Sequence, residues 1–548
     1  MTDGADATKV EWYDWGAEAF DVAKRTDRPV LLALVVPWAE ECLEMDRTTY
    51  AEPRIAANIN DSFVPVRVDA DRHPRVRERY NMGGFPSTVF ITPTGEILTG
   101  ATFLGIGGFR GILDSVRERW EESGEDAGSV PRSLRNNTPP GGVIDARIEE
   151  HMIEQLLGAY DDEFGGWGSD VKFPMPRTVE FALVRARDQA TRTLEAIHTH
   201  LLDTYDGGFY RVARNRNWGA IRREKLLDEN GAVIRAFAHG YRYTGTETYR
   251  EAAARGVEYL TTTLWTGDAF GASQGGNGEY FTLEPTERAD TAAPAVDETI
   301  LADRNGVAID GLLRFVAYTD DESAQQYARS ARQHVCETLV GEDGAVTHYD
   351  TREETGESGL LLDQARLLAG LTTSWEVLGE PGPAIEVADW TIENLQDESG
   401  AFRDGRAVGA GLLDQPLYPL DTAVECADAL LDLALLTGES AYETAAREAI
   451  EAFAGATDRM GIEVAQFATV AARLQNPQVL EVGTKAGSDL HRSALRLADH
   501  ETVVAPRTTD GTDGVATTVT DGEARLLTDG TETGRATSPA ELEALLTD

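Results

Sequence analysis

The sequence predicts a multidomain protein: a small α/β domain, a large all-α barrel of helical hairpins, then a small α/β segment. Three observations carry this. Short apolar strands alternate with amphipathic helices only up to about residue 122. Beyond Gly142 strands nearly vanish, and helices recur with an Asp-Gly-aromatic turn between pairs. From about Val479 strand patterns return. At 548 residues the chain is too long for one ordinary core.

The first domain opens with helical spacing over 12–26, where Trp15, Ala19 and Val22–Ala23 share a face. The apolar run Val30–Val36 is a strand, and Trp38-Ala39-Glu40-Glu41-Cys42 leads from it into a helix bearing Leu43, Met45 and Tyr50. A strand that delivers Trp-x-x-x-Cys to a helix N-terminus has the layout of a thioredoxin active site, where the helix end lowers a thiol pKa. That chemistry needs two thiols at Cys-x-x-Cys spacing, and the first position here is Ala39. A helix over 53–60 starts with proline in its first turn. Strands follow at 63–69 and 89–91, with a Pro93-Thr94-Gly95 hairpin turn into Ile97–Leu98 and a closing helix over 108–122. Pro86, just before the third strand, stands where a thioredoxin fold places a cis-proline against the redox turn.

Ser123–Gly142 is rich in Gly, Ser, Pro, Asn and charge and reads as a linker. It divides a domain at 1–122 from a barrel at 143–477, and 478–548 forms the last unit. Helices are predicted over 144–160, 178–205, 226–244, 246–264, 305–319, 322–339, 360–378, 384–395, 421–436, 440–454 and 462–474. The aromatic turns between them include Asp162–Gly166, Asp206–Phe209, Asp268–Gly271 and Asp397–Phe402. Stacked hairpins with apolar stripes can close into an α/α toroid with these loops at one mouth. In the last unit, strands are expected at 479–482, 502–505 and 516–519. Helices are expected at 489–498 and 539–546, the second N-capped by Ser538 with Glu541 at its third position.

These motifs resemble the thioredoxin-domain, six-hairpin family that includes spermatogenesis-associated protein 20 and the YyaL proteins. The resemblance rests on Ala39–Asp46, Thr49–Pro53, Val68–Pro74 and Gly83-Gly84-Phe85-Pro86 in the first domain. In the barrel it rests on Phe164–Gly168 with Lys172-Phe173-Pro174, Gly207–Arg211 with Trp218, Glu224–Leu227 with Asn230, Ser273-Gln274, and Asp303-Arg304-Asn305. It implies an N-terminal α/β thioredoxin-like fold, an all-α six-hairpin (α/α) barrel of the kind found in sugar hydrolases and epimerases, and a small C-terminal α/β segment. It departs at polar and aromatic positions: Ala39 replaces the first Cys, Glu40 and Leu43 stand for histidines, Tyr210 and Arg222 for histidines, and Arg304 for a tryptophan. The family's paired C-terminal cysteines are absent from Leu526–Glu532, while Pro539 is kept.

The candidate catalytic residues are Cys42, Glu224, Asp228 and Asp303. A lone thiol near a helix start can form mixed disulfides, but Glu40, Glu41 and Glu44 beside it would raise its pKa; the alternative is an inert resolving-position thiol. Glu224 and Asp228 share a helical face and, with Asp303, could be the paired carboxylates of a sugar hydrolase; the alternative is ion pairs and caps that hold hairpin loops. Trp38, Pro86, Lys172, Phe173, Trp218, Lys225, Asn230 and Asn305 are the candidate substrate-binding residues, with aromatic barrel packing as the competing role for Phe173 and Trp218.

Composition narrows the partners. There are 94 acidic against 50 basic residues, a formal net charge of −44, and only five lysines (Lys9, Lys24, Lys172, Lys225, Lys485). Acid spread evenly along the chain fits halophilic adaptation better than a binding surface for a basic partner. No basic patch offers itself to nucleic acid or an anionic membrane. Three scattered cysteines (Cys42, Cys336, Cys426) give neither a disulfide framework nor zinc spacing. His198 and His200, two apart, point to different sides of a helix, so neither a metal nor another cofactor is expected. The acidic start, Met1-Thr2-Asp3, lacks a signal pattern, and no apolar run reaches the roughly 18–20 residues of a membrane span. The expectation is a cytoplasmic protein whose non-dithiol thioredoxin-like module is coupled to a barrel that binds a small molecule, glycan or protein. The alternatives are a carbohydrate-active hydrolase or epimerase using Glu224, Asp228 and Asp303, and a monothiol redox protein working through Cys42.

Overall fold

The structure is a computed structural model that describes residues 8–135, 138–351, 353–507 and 519–547. The first domain is built on β1 (Val30–Val35), buried along its whole length. Around it come α1 (Ala17–Thr26), α2 (Glu40–Arg47), α3 (Pro53–Ser62), β2 (Val64–Asp69), α4 (Pro74–Tyr80), β3 (Ser87–Ile91), β4 (Ile97–Ala101) and α5 (Ile106–Ser123). The sheet order is β2-β1-β3-β4, with β1 and β2 parallel and the other pairs antiparallel. Strand alternation supplies both cores. Val30, Leu32 and Leu34 pack on one face with Phe20 and Tyr80, while Leu31 and Ala33 pack on the other with Tyr50, Phe63 and Phe109.

Two local expectations change. The stretch 12–16 is not helical, because Tyr13 pairs with Val66 and extends the sheet edge beyond β2. Helix α4 was not foreseen, its apolar content being too small for a periodic signal; only Val76 and Tyr80 among its larger apolar side chains are buried. The linker is also less free than its composition suggests. Ser129 pairs with Ile97 at the sheet edge, Leu134 enters the first core, and Gly142 N–H donates to the Glu451 carbonyl at 2.8 Å.

The barrel contains α6 (Ala146–Gly158), α7 (Pro176–Arg185), α8 (Arg187–His200), α9 (Leu227–Thr244), α10 (Glu247–Tyr259), α11 (Ala302–Thr319), α12 (Glu322–Leu339), α13 (Leu361–Leu378), α14 (Ala384–Leu395), α15 (Leu420–Thr437), α16 (Ser440–Ala454) and α17 (Ala465–Gln475). The odd-numbered helices form an inner ring, each packed on the next, and α17 returns to α7. The even-numbered helices back them from outside, so six hairpins close on themselves. Burial separates the two sets. Fifteen of 18 residues are buried in α13 but only five of 18 in α12, where Ala324, Ala328, Ala331, Val335 and Leu339 make one stripe. The predicted helix over 178–205 is two, broken at Ala186 where the chain crosses from inner to outer ring.

Glycines set the inner-ring spacing. A Cβ on Gly311 of α11 would lie 2.2 Å from the Gly231 carbonyl oxygen of α9, and one on Gly306 would lie 2.4 Å from the Arg366 carbonyl of α13. Short strands β5 (Val212–Ala213), β6 (Ile221–Arg222), β7 (Lys225–Leu226), β8 (Ser273–Gln274) and β9 (Val296–Asp297) shape the loops at the N-terminal ends of the inner helices.

The last unit comprises β10 (Gln478–Lys485), α18 (Asp489–Leu497), β11 (Val503–Arg507), β12 (Ala524–Thr528), β13 (Thr531–Ala536) and α19 (Pro539–Thr547). Its order is β11-β10-β12-β13, with β10 and β11 parallel and the remaining pairs antiparallel. The sequence of directions is that of the first sheet, so the barrel lies between two sheets of one topology. Leu526–Glu532, noted above only for its missing thiols, covers the end of β12, the Asp529-Gly530 turn and the start of β13; the strand expected at 516–519 falls largely outside the described residues. Strand β11 packs on α13 and α15, and His491 of α18 reaches the Glu376 carbonyl near the C-terminal end of α13. Among the described residues no helix is long and apolar enough to cross a membrane.

Candidate functional site

The thioredoxin-like turn faces the barrel, not solvent. Trp38 and Ala39 are buried and Cys42 is 2% exposed, enclosed by Val35, Val36, Ala70 and, from the barrel, Leu226. Burial pushes the Cys42 thiol up to about 12, with Asp46 and Glu41 adding to the effect of desolvation, so the nucleophilic thiolate is suppressed. Trp38 Nε1 donates to Asp71 Oδ2 at 2.8 Å, and Asp71 Oδ1 lies 2.6 Å from the Arg304 guanidinium of α11. The Arg211 guanidinium sits 4.6 Å over the Trp38 ring, and Gly276 N–H donates to the Trp38 carbonyl at 3.3 Å. Glu41 pairs with Arg222. Pro86 is buried behind a cis peptide, and the preceding Phe85 packs edge-on against Trp38 at 5.8 Å. The Trp38–Cys42 turn is thus directed into the seam between domains.

Helix α4 locks this arrangement. Arg79 donates to Asp404 at 2.6 Å and to the Leu412 and Gln415 carbonyls; Arg75 reaches Glu357, Asp404 and the Leu413 carbonyl. Leu412 and Leu413 complete the first domain's own core. Arg72 pairs with Glu354 from a hairpin spanning 346–359.

Beneath the turn, inner helices present acid in their first turns: Asp228 on α9, Asp303 on α11 and Asp363 on α13. Arg366 bridges two of them, 3.1 Å from Asp303 and 3.5 Å from Asp228, and is 2.9 Å from Glu425. Arg304 stands 3.7 Å from Asp228. The structure therefore brings Asp228 and Asp303 together around two guanidiniums. Glu224 does not share a helical face with Asp228 as expected, because it precedes strand β7 and α9 begins only at Leu227. It lies in the seam with Arg222 and Glu41, buried and 3.6 Å from Arg222, with its carboxyl raised by desolvation. Glu229 is lifted to about 7 by burial and by Asp228, against the pull of Arg211 at 3.2 Å. Glu224 Oε2, Asp228 Oδ1, Glu229 Oε2, Asp303 Oδ1 and Asp363 Oδ2 are secluded from solvent without a hydrogen-bond partner. Secluded carboxylate oxygens without a partner are uncommon in folded proteins.

His348, from the 346–359 hairpin, closes the group. Its Nδ1 is 2.8 Å from Asp363 Oδ1 and 4.0 Å from Asp303 Oδ1, and its Nε2 is 2.8 Å from the Asp71 carbonyl. Burial alone would lower its pKa, but Asp363 and Asp303 outweigh burial and raise it to about 9. Asp303, His348 and Asp363 thus place one ligand atom each within 4.8 Å of the others, a set that local histidine spacing gave no reason to expect. Below the mouth the lumen is occupied by the protein's own charges. Arg235 pairs with Glu180 and Asp310, Arg314 with Glu376, and Arg473 with Asp428 and Asp432, around a cavity of about 60 Å³.

Several expected binding residues are committed to the fold. Lys172 Nζ is sealed between Asp161 (2.9 Å) and the Gly168 carbonyl (2.8 Å); Lys225 Nζ repeats this with Asp203 (2.8 Å) and Gly207 (2.7 Å). Asn230 clamps the Phe209 backbone and Asn305 the Phe270 backbone, each with its amide nitrogen also donating one turn back. Gln364 clamps Val346 in the next hairpin. These side chains spend most of their hydrogen-bonding capacity on the fold. Trp218 is buried with Nε1 donating to the Phe164 carbonyl, and Phe173 is 48% exposed. The residues missed were Asp71, Arg75, Arg79, His348, Asp363 and Arg366. Arg75 and Arg79 carried an i, i+4 signal; His348 and Asp363 carried none, because their partners lie on other hairpins.

Fold and site together define a thioredoxin-like domain without its dithiol, docked by its redox end on the mouth of a six-hairpin α/α barrel. Residues 4–137 match the Thioredox_DsbH family, described as a protein of unknown function, DUF255. The chain is similar to spermatogenesis-associated protein 20: the human protein is 26% identical over 295 residues, 46% of this chain and 37% of that one. The match spans little more than a third of that relative's length. Among solved structures, the chain is similar to a sugar epimerase from a ruminal bacterium, at 13% identity and TM-score 0.46, over 56% of this chain and 85% of that one. It is also similar to cellobiose 2-epimerase from Spirochaeta thermophila, at 15% identity and TM-score 0.45, over 56% and 82%.

Proposed function

We propose that the protein binds a small polar ligand in the seam between its two large domains, and that the thioredoxin-like domain serves there as a fixed, redox-silent lid. The observation that carries this is the burial of the Trp38–Cys42 turn against Leu226, Arg211, Arg222 and Arg304, over a set of carboxylates with unpartnered oxygens. Arginine forks and carboxylates alternating in a secluded space suit a ligand with several hydroxyl, carboxyl or carbonyl groups. Cys42 is left as a packing residue.

A second reading draws on Glu229 and Asp303. Both lie in the field of Arg304, yet one carboxyl is raised to about 7 and the other is lowered, the pairing that acid–base chemistry on a sugar uses. Here Glu229 is the proton donor and Asp303 the ionised partner, with Glu224 contacting the ligand.

The test is thermal-shift screening of the full chain at high salt against sugars, sugar acids and other small polyhydroxy compounds, alongside an insulin-reduction assay. A hit whose shift disappears in Arg366→Gln and Glu224→Gln, with no insulin reduction, is the expected outcome. Disulfide turnover by the wild type, or a hit indifferent to both substitutions, would sink the proposal.

A further inference from the structure

Asp303, Asp363 and His348 share a geometry that their own contacts do not use up. Asp303 Oδ2 is held by Arg366 at 3.1 Å and Asp363 Oδ1 accepts from the Asp303 N–H at 3.1 Å, so each carboxylate is fixed by one oxygen. The other oxygens, Asp303 Oδ1 and Asp363 Oδ2, have no partner, although the side chains are only 5% and 0% exposed. The imidazole is oriented from behind by the Asp71 carbonyl at Nε2, which aims Nδ1 at both acids.

We propose that Asp303, His348 and Asp363 form a site for one divalent first-row transition ion, bound by His348 Nδ1, Asp303 Oδ1 and Asp363 Oδ2. An ion pair between the imidazole and the two acids accounts for Asp363 Oδ1 and brings Nδ1 within 4.0 Å of Asp303 Oδ1, but it leaves Asp303 Oδ1 and Asp363 Oδ2 without a hydrogen bond. A cation that displaces the Nδ1 proton held toward Asp363 Oδ1, releasing it to solvent, satisfies all three atoms. Metal–ligand bonds of about 2.0–2.2 Å put neighbouring donors roughly 3 Å apart, and each of the three side chains offers a ligand atom within 4.8 Å of the others. The second shell is in place as metal sites require: the ligating histidine donates its remote N–H to a backbone carbonyl, and each carboxylate has an orienting donor. One imidazole with two carboxylates favours Mn²⁺, Fe²⁺ or Zn²⁺, since thiolate-seeking Cu⁺ finds no sulfur and Ca²⁺ and Mg²⁺ gain little from the nitrogen. Because Nε2 holds the carbonyl of Asp71, whose side chain takes Trp38 and Arg304, the ion would stiffen the docking of the first domain. The site stands whether or not the seam takes an organic ligand.

The experiment is titration of the chelator-stripped full chain with Mn²⁺ alone, in about 2 M KCl so that diffuse binding to the acidic surface is screened. Bound ion is counted from the loss of the free Mn²⁺ paramagnetic resonance signal. One ion per chain is expected, with a nitrogen coupling from His348 in the pulsed spectrum. His348→Gln and Asp363→Asn, with circular dichroism unchanged, should abolish the stoichiometric site. Saturation without nitrogen coupling, no saturable binding, or undiminished binding in both folded variants overturns the proposal. Should the variants lose native structure, the wild-type nitrogen coupling alone decides.

Discussion

Lys172 and Lys225 are two of only five lysines, and both ammonium groups are cut off from water. Desolvating an ammonium is costly, and each is compensated by one aspartate and one carbonyl of an adjoining turn. Asp161 also accepts from the Glu163 and Phe164 N–H groups, while Asp203 accepts from that of Tyr205, so the same carboxylate shapes the turn and neutralises the lysine. Removing one partner strands the other. Asp161→Asn should therefore cost about 3 kcal/mol or more in urea unfolding. Lys172→Met should cost less, because Asp161 keeps Arg216 at 2.9 Å, and should leave ligand-induced thermal shifts at wild-type size. Equal costs for the two substitutions would show that the pair is not the organising contact.

At the scale of elements, the inner helices approach closely because glycines meet glycines. Gly231 of α9 faces Gly311 of α11, and Gly306 of α11 faces Gly370 of α13. These helices also carry the site, with Asp228, Asp303 and Asp363 in first turns whose spacing depends on that approach. A methyl group at Gly311 would meet backbone, not a flexible side chain, so Gly311→Ala must push the two helices apart. A loss of about 1–3 kcal/mol is expected, read as a lower thermal midpoint; an unchanged midpoint would mean that the ring relaxes freely. The same helices show what the sequence could reveal. Their existence was plain from apolar periodicity, and the first sheet from its strand order and Trp38–Cys42. Which helices were inner was legible only in part, since it follows from all-round burial. The site was half visible: Asp228 and Asp303 stood out beside Asn230 and Asn305, whereas Asp363 joined them only through ring closure. His348 came from a hairpin without apolar rhythm, and α4 hid its role because its arginines act across the seam. Lys172, Lys225, Asn230 and Asn305 drew attention as polar residues in motifs, and a linear pattern cannot separate a fold-holding polar residue from a ligand-holding one.

For the whole molecule, charge is distributed unequally between inside and outside. Much of the positive charge is spent internally: Arg75, Arg79, Arg235, Arg304 and Arg473 are all buried against acids. Because these arginines are buried together with their acidic partners, the interior is close to neutral and the net −44 is carried by the solvent-facing shell. Salt acts on the two populations differently. At about 0.1 M the screening length is near 10 Å, so surface carboxylates repel across several neighbours; near 1 M it falls to about 3 Å and that repulsion fades. Buried pairs such as Arg79–Asp404 at 2.6 Å and Arg304–Asp71 at 2.6 Å lie within contact distance and out of water, where screening is weak. Relief of surface repulsion therefore outweighs loss of ion pairing. The thermal midpoint should rise steadily from about 0.1 to 2 M KCl, and the first domain should stay docked throughout, as followed by fluorescence of Trp38 against the Arg211 guanidinium. A falling midpoint would mean instead that exposed pairs such as Arg72–Glu354, on the rim of the seam, limit the stability of the assembly.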